Sequence, residues 1–489
     1  MSQDSGALKR LEEENKWLRE KVRELEEKLM AKASGLEMNH EQHQIIKEED
    51  QYEDGNNNTE LLKEKLPYLY NELNKELNND QIARFSRHLL LPEIGVKRQA
   101  KLCNGSILLV GAGGLGSPAA LFLAAAGVGK LGFVDFDVVD TSNLHRQIIH
   151  NEHRTGMLKT LSAKMSCKLL NENVKIECYN QPFSELNGLE LVKQYDVIMD
   201  CSDNVTTRYL VNDACVLAGK PLVSGSAVKF EGQLTIYNYR NKNVKGPCYR
   251  CLYPDPPPPA TVTSCSDGGV LGVVPGIIGC LQALEAQKLL MQMDDEESVK
   301  NNCEILVQKM LLFNAKTCSF RTVKIRGRQS CCKVCGDIPT ITSLIPEGTS
   351  LVCADKVASQ PADLLRPENR ITAQEYESLL KKNPKNHILL DVRERIQYDI
   401  AALPHAINIP LKQLSKEESI QRIRDEISKN SNNSATTPND YPIFVICRRG
   451  ISSVSATKTL LDVGFTNVKN IDGGVNSWRK NVDQGFPLY

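Results

Sequence analysis

A chain of 489 residues is longer than one core of about 100 to 150 residues holds, so at least two domains are expected. With 41% apolar and 25% charged residues and no uninterrupted apolar run of ~20 residues, the composition predicts an ordinary globular protein without a membrane contact. Lys plus Arg balances Asp plus Glu at 60 each, which leaves no summed field to hold nucleic acid directly. The start, MSQDSGALKR, has neither a secretory nor a transit pattern, so a cytoplasmic (cytosolic) location is expected. Its sixteen cysteines then read as metal ligands, catalytic thiols or core fillers, because the cytosolic thiol pool keeps them reduced.

In residues 1–32, Leu11, Leu18 and Leu25 stand seven apart, and Leu8, Asn15, Val22 and Leu29 form a second heptad series. That a/d pattern predicts a helix able to form a short coiled coil, followed by a flexible acidic segment over 33–60. Over 61–340, β-rich runs (SILLVGAG, KLGFVDFD, YDVIMDCSD, PLVSGSAV) alternate with helical stretches (PAALFLAAAGV, TLSAKMSCKLL). The alternation predicts an α/β domain with a largely parallel sheet. A linker over 341–365 leads to a smaller α/β unit over 366–489, whose strands are HILLDVRE, AINIP, YPIFVIC and NVKNIDGG.

The chemistry starts at Gly111, Gly113 and Gly116, a G-x-G-x-x-G directly after a β run and opening a helix. Such glycines let the backbone approach a phosphate seated on the helix N-terminus, and Asp135, ending the next β run, suits a ribose hydroxyl. An NAD enzyme and an ATP enzyme fit this much equally. Arg146 and Lys159 then favour a triphosphate, whose charge must be neutralised while it is attacked. Asp203 and Asn204 end a further β run, where a carboxylate suits the Mg²⁺ that accompanies ATP.

Two Cys-x-x-Cys pairs, Cys248/Cys251 and Cys332/Cys335, supply four thiolates for one structural Zn²⁺. A redox role fits poorly, since neither pair stands at a strand-to-helix start beside a thioredoxin-like pattern. Cys331 is a spare neighbour, and Cys201 reads as strand packing. Cys265 follows a Pro-rich stretch that reads as a crossover loop; spacing alone makes it a core filler sooner than a reactive thiol. Cys447 ends the β run YPIFVIC, where the loop RRGISS can wrap backbone N–H groups around the sulfur. Arg448 and Arg449 add positive charge, and both effects favour a thiolate.

The stretches RFSRHLLLPEIG, VGAGGLGSPAALFLAAAGVGKLGFVDFDVVDTSNLHRQ, DCSDN and CSDGGVLGVVPGIIGCLQALEAQKLL closely resemble the ubiquitin-activating-enzyme-like adenylyltransferases, in particular the molybdopterin synthase sulfurylases. LLDVRE, PHAINIP, VICRRG and IDGGVNSW are ordered as in rhodanese domains. Residues 80–489 thus resemble the eukaryotic adenylyltransferase and sulfurtransferase family of molybdenum cofactor synthesis and tRNA thiolation. The resemblance implies a Rossmann-like adenylation domain with zinc knuckles, then a rhodanese domain. It implies that Gly114 and Asp135 contact ATP and that Ser142, Asn143, Leu144, His145 and Arg146 line its phosphates and ribose. Lys159, Asp203 and Asn204 complete that site, with Arg146 stabilising charge at the α-phosphate and Asp203 holding Mg²⁺. Arg87 reaches a partner's active site in such homodimers.

The implied reaction adenylates the C-terminal glycine of a ubiquitin-like sulfur carrier ending in Gly-Gly, among them the small subunit of molybdopterin synthase. A Cys447 persulfide, charged by a cysteine desulfurase or another sulfur donor, then gives a C-terminal thiocarboxylate, with Cys265 acting as a reductive or thioester cysteine. Two other functions compete: a conjugation enzyme working through a Cys265 thioester with a silent second unit, and a non-enzymatic scaffold. The sulfur loop departs from the family, which continues Asn-Asp-Ser where this chain has Ile451, Ser452 and Ser453, so efficiency of sulfur transfer and choice of donor are open.

Overall fold

The computed structural model describes residues 76–241, 244–257, 269–292, 305–344, 365–382, 386–430 and 439–487. The heptad segment, the acidic segment, most of the linker and Cys265 lie outside the described residues.

The first unit begins with helices α1 (Asn79–Leu89) and α2 (Gly95–Asn104), followed by β1 (Ser106–Val110), α3 (Gly116–Ala125), β2 (Lys130–Val134), α4 (Lys159–Leu170) and β3 (Lys175–Tyr179). After α5 (Gly188–Lys193) come β4 (Val197–Asp200), α6 (Val205–Ala218), β5 (Leu222–Val228), β6 (Glu231–Tyr237) and the short α7 (Tyr249–Leu252). The unit ends with α8 (Val273–Leu290), β7 (Lys309–Asn314) and β8 (Ser319–Lys324). Its eight-stranded sheet has the order β3-β2-β1-β4-β5-β6-β7-β8.

The half from β3 to β5 is parallel, as the alternation predicts, with Leu109 beside Phe133 on one side and Met199 on the other. The half from β5 to β8 is antiparallel. Parallel strands covered on both faces read as continuous apolar runs, and β1 buries Ile107, Leu108, Leu109 and Val110. Strand order reverses between β1 and β4, and the crevice beyond their carboxyl ends is where such sheets bind ligands. The glycine run leaves β1 at that point.

Helix α8 is long and apolar enough by composition to cross a bilayer. It lies instead against α3, β4, β5 and β6, with polar groups on its buried face. Gln282 donates to the carbonyls of Asp200 (2.8 Å) and Val223 (3.2 Å), and Glu285 accepts the N–H of Leu306 (2.8 Å).

The second unit contains β9 (Arg370–Ile371), α9 (Ala373–Lys382), β10 (Ile388–Asp391), α10 (Arg395–Ile400), β11 (Ala406–Asn408), α11 (Leu411–Leu414) and α12 (Glu417–Asn430). It closes with β12 (Ile443–Ile446), α13 (Ser452–Asp462), β13 (Val468–Ile471) and α14 (Gly474–Asn481). The five strands form a parallel sheet in the order β11-β10-β12-β13-β9 with its own buried clusters.

Candidate functional site

The glycine loop is shaped by contacts that only glycine permits. Gly111 has φ +103°, and a Cβ there would stand 2.7 Å from the carbonyl oxygen of Cys201 at the end of β4. A Cβ on Gly116, where α3 begins, would stand 2.2 Å from the carbonyl oxygen of Gly111. The loop therefore folds tightly against the neighbouring strand end and presents the N-terminus of α3.

Asp135 holds this loop from β2: its carboxylate accepts the N–H of Ala112 and of Asp137, each at 2.9 Å. Burial pushes its pKa up, with Lys159 opposing. Lys159 is itself buried and pairs with Asp137 at 2.8 Å. Arg146 lies over the loop, since a Cβ on Gly114 would come within 3.4 Å of its Cγ, and its guanidinium donates to Asn143 Oδ1 at 2.6 Å. Ser142 is fixed by Asp140, which accepts its N–H (2.8 Å) and its hydroxyl (2.5 Å). Leu144 and His145 lie in the same turn, with His145 Nε2 at 3.3 Å from Arg146.

Asp203 and Asn204 follow β4 at the crevice. Asn204 has a structural task there: its Oδ1 accepts the N–H of Thr207 at 2.7 Å and caps α6. Arg87 is exposed and is not brought to the loop within one chain. Its helix docks through Phe85 onto Gly127, at the opposite end of α3 from the glycines.

Three residues near the expected ones, Gln147, Ser117 and His150, do not stand out in the sequence. Gln147, next to Arg146, is buried, its Nε2 lies 3.6 Å from where a Cβ on Gly113 would stand, and its Oε1 has no protein partner. Ser117, on the first turn of α3, has a buried hydroxyl also without a protein partner. Orphaned buried polar atoms beside a phosphate loop fit a polar ligand such as ATP.

His150 is the third. Its Nε2 donates to the carbonyl of Ala112 at 3.0 Å and its Nδ1 accepts from the hydroxyl of Ser162 at 2.9 Å, so Ala112 is clamped through both backbone groups. Burial lowers the His150 pKa from 6.5 to about 4. Between those values the unfolded chain binds more protons than the folded one, so stability falls as pH drops from about 6.5 toward 4. A His150→Gln variant is expected to show a smaller loss of thermal midpoint between pH 7.5 and 4.5 than the parent. An equal acid loss in both would remove His150 as its source.

The four cysteines of the two Cys-x-x-Cys pairs converge. Cys248, Cys251, Cys332 and Cys335 are all buried, with their sulfurs within 4.8 Å of one another. Sγ separations of 3.8 Å (Cys248–Cys251), 3.5 Å (Cys248–Cys332) and 3.3 Å (Cys251–Cys335) approach the ~3.8 Å edge of a tetrahedron with Zn–S bonds of about 2.3 Å. The backbone N–H of Gln329 also points at Cys251 Sγ, 3.3 Å away. The donor set fits one zinc ion. Cys331 is exposed and outside it, and burial pushes the Cys201 thiol up, as strand packing implies.

In the second unit Cys447 follows β12 and is buried. Gly450, at φ +80°, turns its N–H onto the Cys447 sulfur at 3.2 Å, and the Ser453 hydroxyl lies 3.2 Å from the same atom. The N-terminus of α14 holds the loop from behind: Val475 N–H donates to the Cys447 carbonyl (2.9 Å) and Asn476 N–H to that of Arg448 (3.1 Å). Beside it, at the end of β10, Arg393 grips Asp391 through two nitrogens and donates to the Ala401 carbonyl at 2.7 Å.

A phosphate loop at the switch point of one sheet and a cradled sulfur at a strand end of another define a nucleotide-using enzyme with a sulfur-handling unit. The ThiF family profile matches residues 85–334 and the Rhodanese-like domain profile residues 372–481. The chain is 45% identical to the Danio rerio "Adenylyltransferase and sulfurtransferase MOCS3" over 469 residues, covering 94% of this chain and 98% of the relative. It is 44% identical to the Dictyostelium discoideum protein of the same name over 431 residues, covering 84% and 98%. The solved E. coli MccB with ATP aligns at 20% identity and a TM-score of 0.43, over 54% of this chain and 76% of that one.

The chain belongs to the ThiF family, in its MOCS3 branch of adenylyltransferases and sulfurtransferases. It is an ATP-using enzyme that couples adenylation by the ThiF unit to sulfur transfer by the rhodanese unit.

Proposed function

We propose that the enzyme adenylates the C-terminal glycine of a ubiquitin-like sulfur carrier ending in Gly-Gly and converts it to a thiocarboxylate for tRNA wobble-uridine thiolation and molybdopterin synthesis. A carboxylate is a poor acyl donor; adenylation gives it AMP as a leaving group and releases pyrophosphate. The outer sulfur of a Cys447 persulfide attacks the acyl carbon, the C–O bond to AMP breaks, and an acyl disulfide results. A thiol, assigned to Cys265, then attacks Cys447 Sγ; a Cys265–Cys447 disulfide forms, the S–S bond to the carrier breaks, the thiocarboxylate leaves with the electron pair, and an external dithiol reduces the disulfide for the next turnover. The carriers include the small subunit of molybdopterin synthase, a cysteine desulfurase or another donor charges Cys447, and the tRNA and the pterin receive sulfur downstream in the cytosol.

The observation that carries this reading is the pairing, in one chain, of a phosphate loop with orphaned polar atoms and a cysteine whose sulfur already receives a backbone N–H. Gly111 to Gly116 and the N-terminus of α3 take the phosphates, with Arg146 and Lys159 balancing their charge, while Asp135 takes the ribose. Asp203 holds the Mg²⁺, which shields phosphate charge when bound. Conjugation through a Cys265 thioester is not favoured, because the relatives bearing a sulfurtransferase name span the whole architecture.

A homodimer is part of the proposal. Arg87 is exposed and anchored away from its own glycine loop. Leu161, Met165 and Leu169 make an exposed stripe at i, i+4 spacing on α4, with Phe122 exposed on neighbouring α3. Apolar stripes of this kind mark association surfaces.

The test is intact-mass spectrometry of a Gly-Gly-ended carrier incubated with the enzyme, Mg-ATP and a persulfide donor. A gain of about 16 Da, sulfur for oxygen, is expected, and none for a carrier lacking its last glycine. An AMP adduct that never acquires sulfur would overturn the second half of the reaction, and no adduct with any carrier the first.

A further inference from the structure

The Cys447 sulfur is approached by two groups of different kinds. The Gly450 N–H belongs to the backbone cradle, whereas the Ser453 hydroxyl comes from the first turn of α13. Ser453 is fully buried, while Ser452 beside it is exposed. A buried hydroxyl demands a hydrogen-bond partner, and here that partner is sulfur. Once the sulfur is a thiolate it has no proton to give, so the hydroxyl donates. The two family positions changed to Ile451 and Ser452 leave this third position and its contact in place.

We propose that Ser453 is a catalytic hydrogen-bond donor to the inner sulfur, Sγ, of Cys447, serving the step in which Cys447 is loaded. The proposal rests on the reading of Cys447 as the sulfur carrier. In loading, the Cys447 thiolate attacks the outer sulfur of a persulfide donor; the Sγ–S bond forms, the donor's S–S bond breaks, and its thiolate leaves with the electron pair. No net oxidant or reductant is consumed. Negative charge sits on Sγ at the start of that step, where the hydroxyl meets it. That charge departs on the donor's thiolate, which takes the proton of the outer sulfur; the nucleophilic charge of the loaded persulfide then lies on the outer sulfur, so attack on the acyl adenylate depends less on Ser453.

Among the described residues, charged groups on the loop and on the elements that meet it include Arg448 and Arg449 on the loop itself, the Asp391–Arg393 pair at the end of β10, the Arg370–Asp472 pair ahead of α14, and Arg479 and Lys480 in the last turn of α14. A Ser453→Ala substitution leaves all of them in place, and it removes one oxygen without adding volume.

The experiment uses the full chain, with iodoacetamide labelling of the Cys447 peptide followed by mass spectrometry from pH 5.5 to 9.5. Ser453→Ala is expected to move the midpoint of the rate profile upward by about half to one pH unit and to slow loading from glutathione persulfide at pH 7 by about three- to tenfold. The thermal midpoint and carrier-dependent ATP–pyrophosphate exchange are expected to stay at parental values, and Ser452→Ala to reproduce the parental profile. A Ser453→Ala profile that superimposes on the parent overturns the proposal. A shifted profile in a protein whose parent never gains sulfur upholds the Ser453 contact and overturns the persulfide reading on which it rests.

Discussion

With Cys447 replaced by alanine, the carrier is expected to be adenylated at the parental rate and never thiolated. The groups assigned to nucleotide chemistry, from Gly111 through Arg146 and Lys159 to Asp203, all belong to the eight-stranded unit. Cys447 ends a strand of the five-stranded unit, which has its own buried clusters. Removing one sulfur from a buried position costs stability on the order of 1 kcal/mol, too little to unfold that unit. The chemical loss is total, because alanine carries no atom that can accept or pass on sulfur. The pair of measurements is carrier-dependent ATP–pyrophosphate exchange and thiocarboxylate formed, read by the mobility of the carrier in an organomercurial gel. Thiocarboxylate at the parental level would place the sulfur carrier on another cysteine. Loss of both activities would tie Cys447 to the adenylation site as well.

Four strands of the parallel half, β1, β2, β4 and β5, and four of the five strands of the second sheet were legible, the clearest as apolar runs such as ILLV and IFVI that stop at Gly or Cys, whereas β3 (KIECY) mixes polar and apolar residues and does not stand out. The antiparallel half was not. In β6, Glu231–Tyr237, polar and apolar residues mix, and β8, Ser319–Lys324, is largely exposed, so neither stands out from a loop. The paired Cys-x-x-Cys spacing was specific enough to place four ligands, and the structure brings their sulfurs together. Gln147 and His150 were passed over because a polar residue in a chain looks the same whether it ends in solvent or under a loop. The clue was their setting, since they flank Ile148 and Ile149 in a run that directly follows Arg146. Asn204 shows the converse: an Asn followed by a helical run is first an N-cap, and its side-chain oxygen is occupied in that role.

A Cys251→Ser variant is expected to lose its zinc and to melt its ThiF unit well below the parental temperature, while the rhodanese transition stays where it was. The four sulfurs tie the segment around α7 to one 84 residues further on. Around them the buried apolar company is small, chiefly Val216 and Val334, and the other ties between the two segments, Lys333 to Asp255 and Arg326 to the Leu252 carbonyl, lie at the surface, so the metal is the main link. Closing a loop of that length by a cross-link removes about 4 to 5 kcal/mol of chain entropy from the unfolded state. Structural zinc adds its own binding free energy, on the order of 10 kcal/mol in small sites. Serine keeps nearly the same volume, so the loss reports the missing thiolate rather than a cavity. A deficit of several kcal/mol in a unit of this size corresponds to roughly 10 °C or more. The measurements are zinc per chain by atomic emission and the two thermal transitions by calorimetry. One zinc per parental chain and none in the variant, with only the first transition lowered, is the expected result. A parental protein that carries no zinc yet melts and adenylates normally would make the four cysteines a packed thiol cluster.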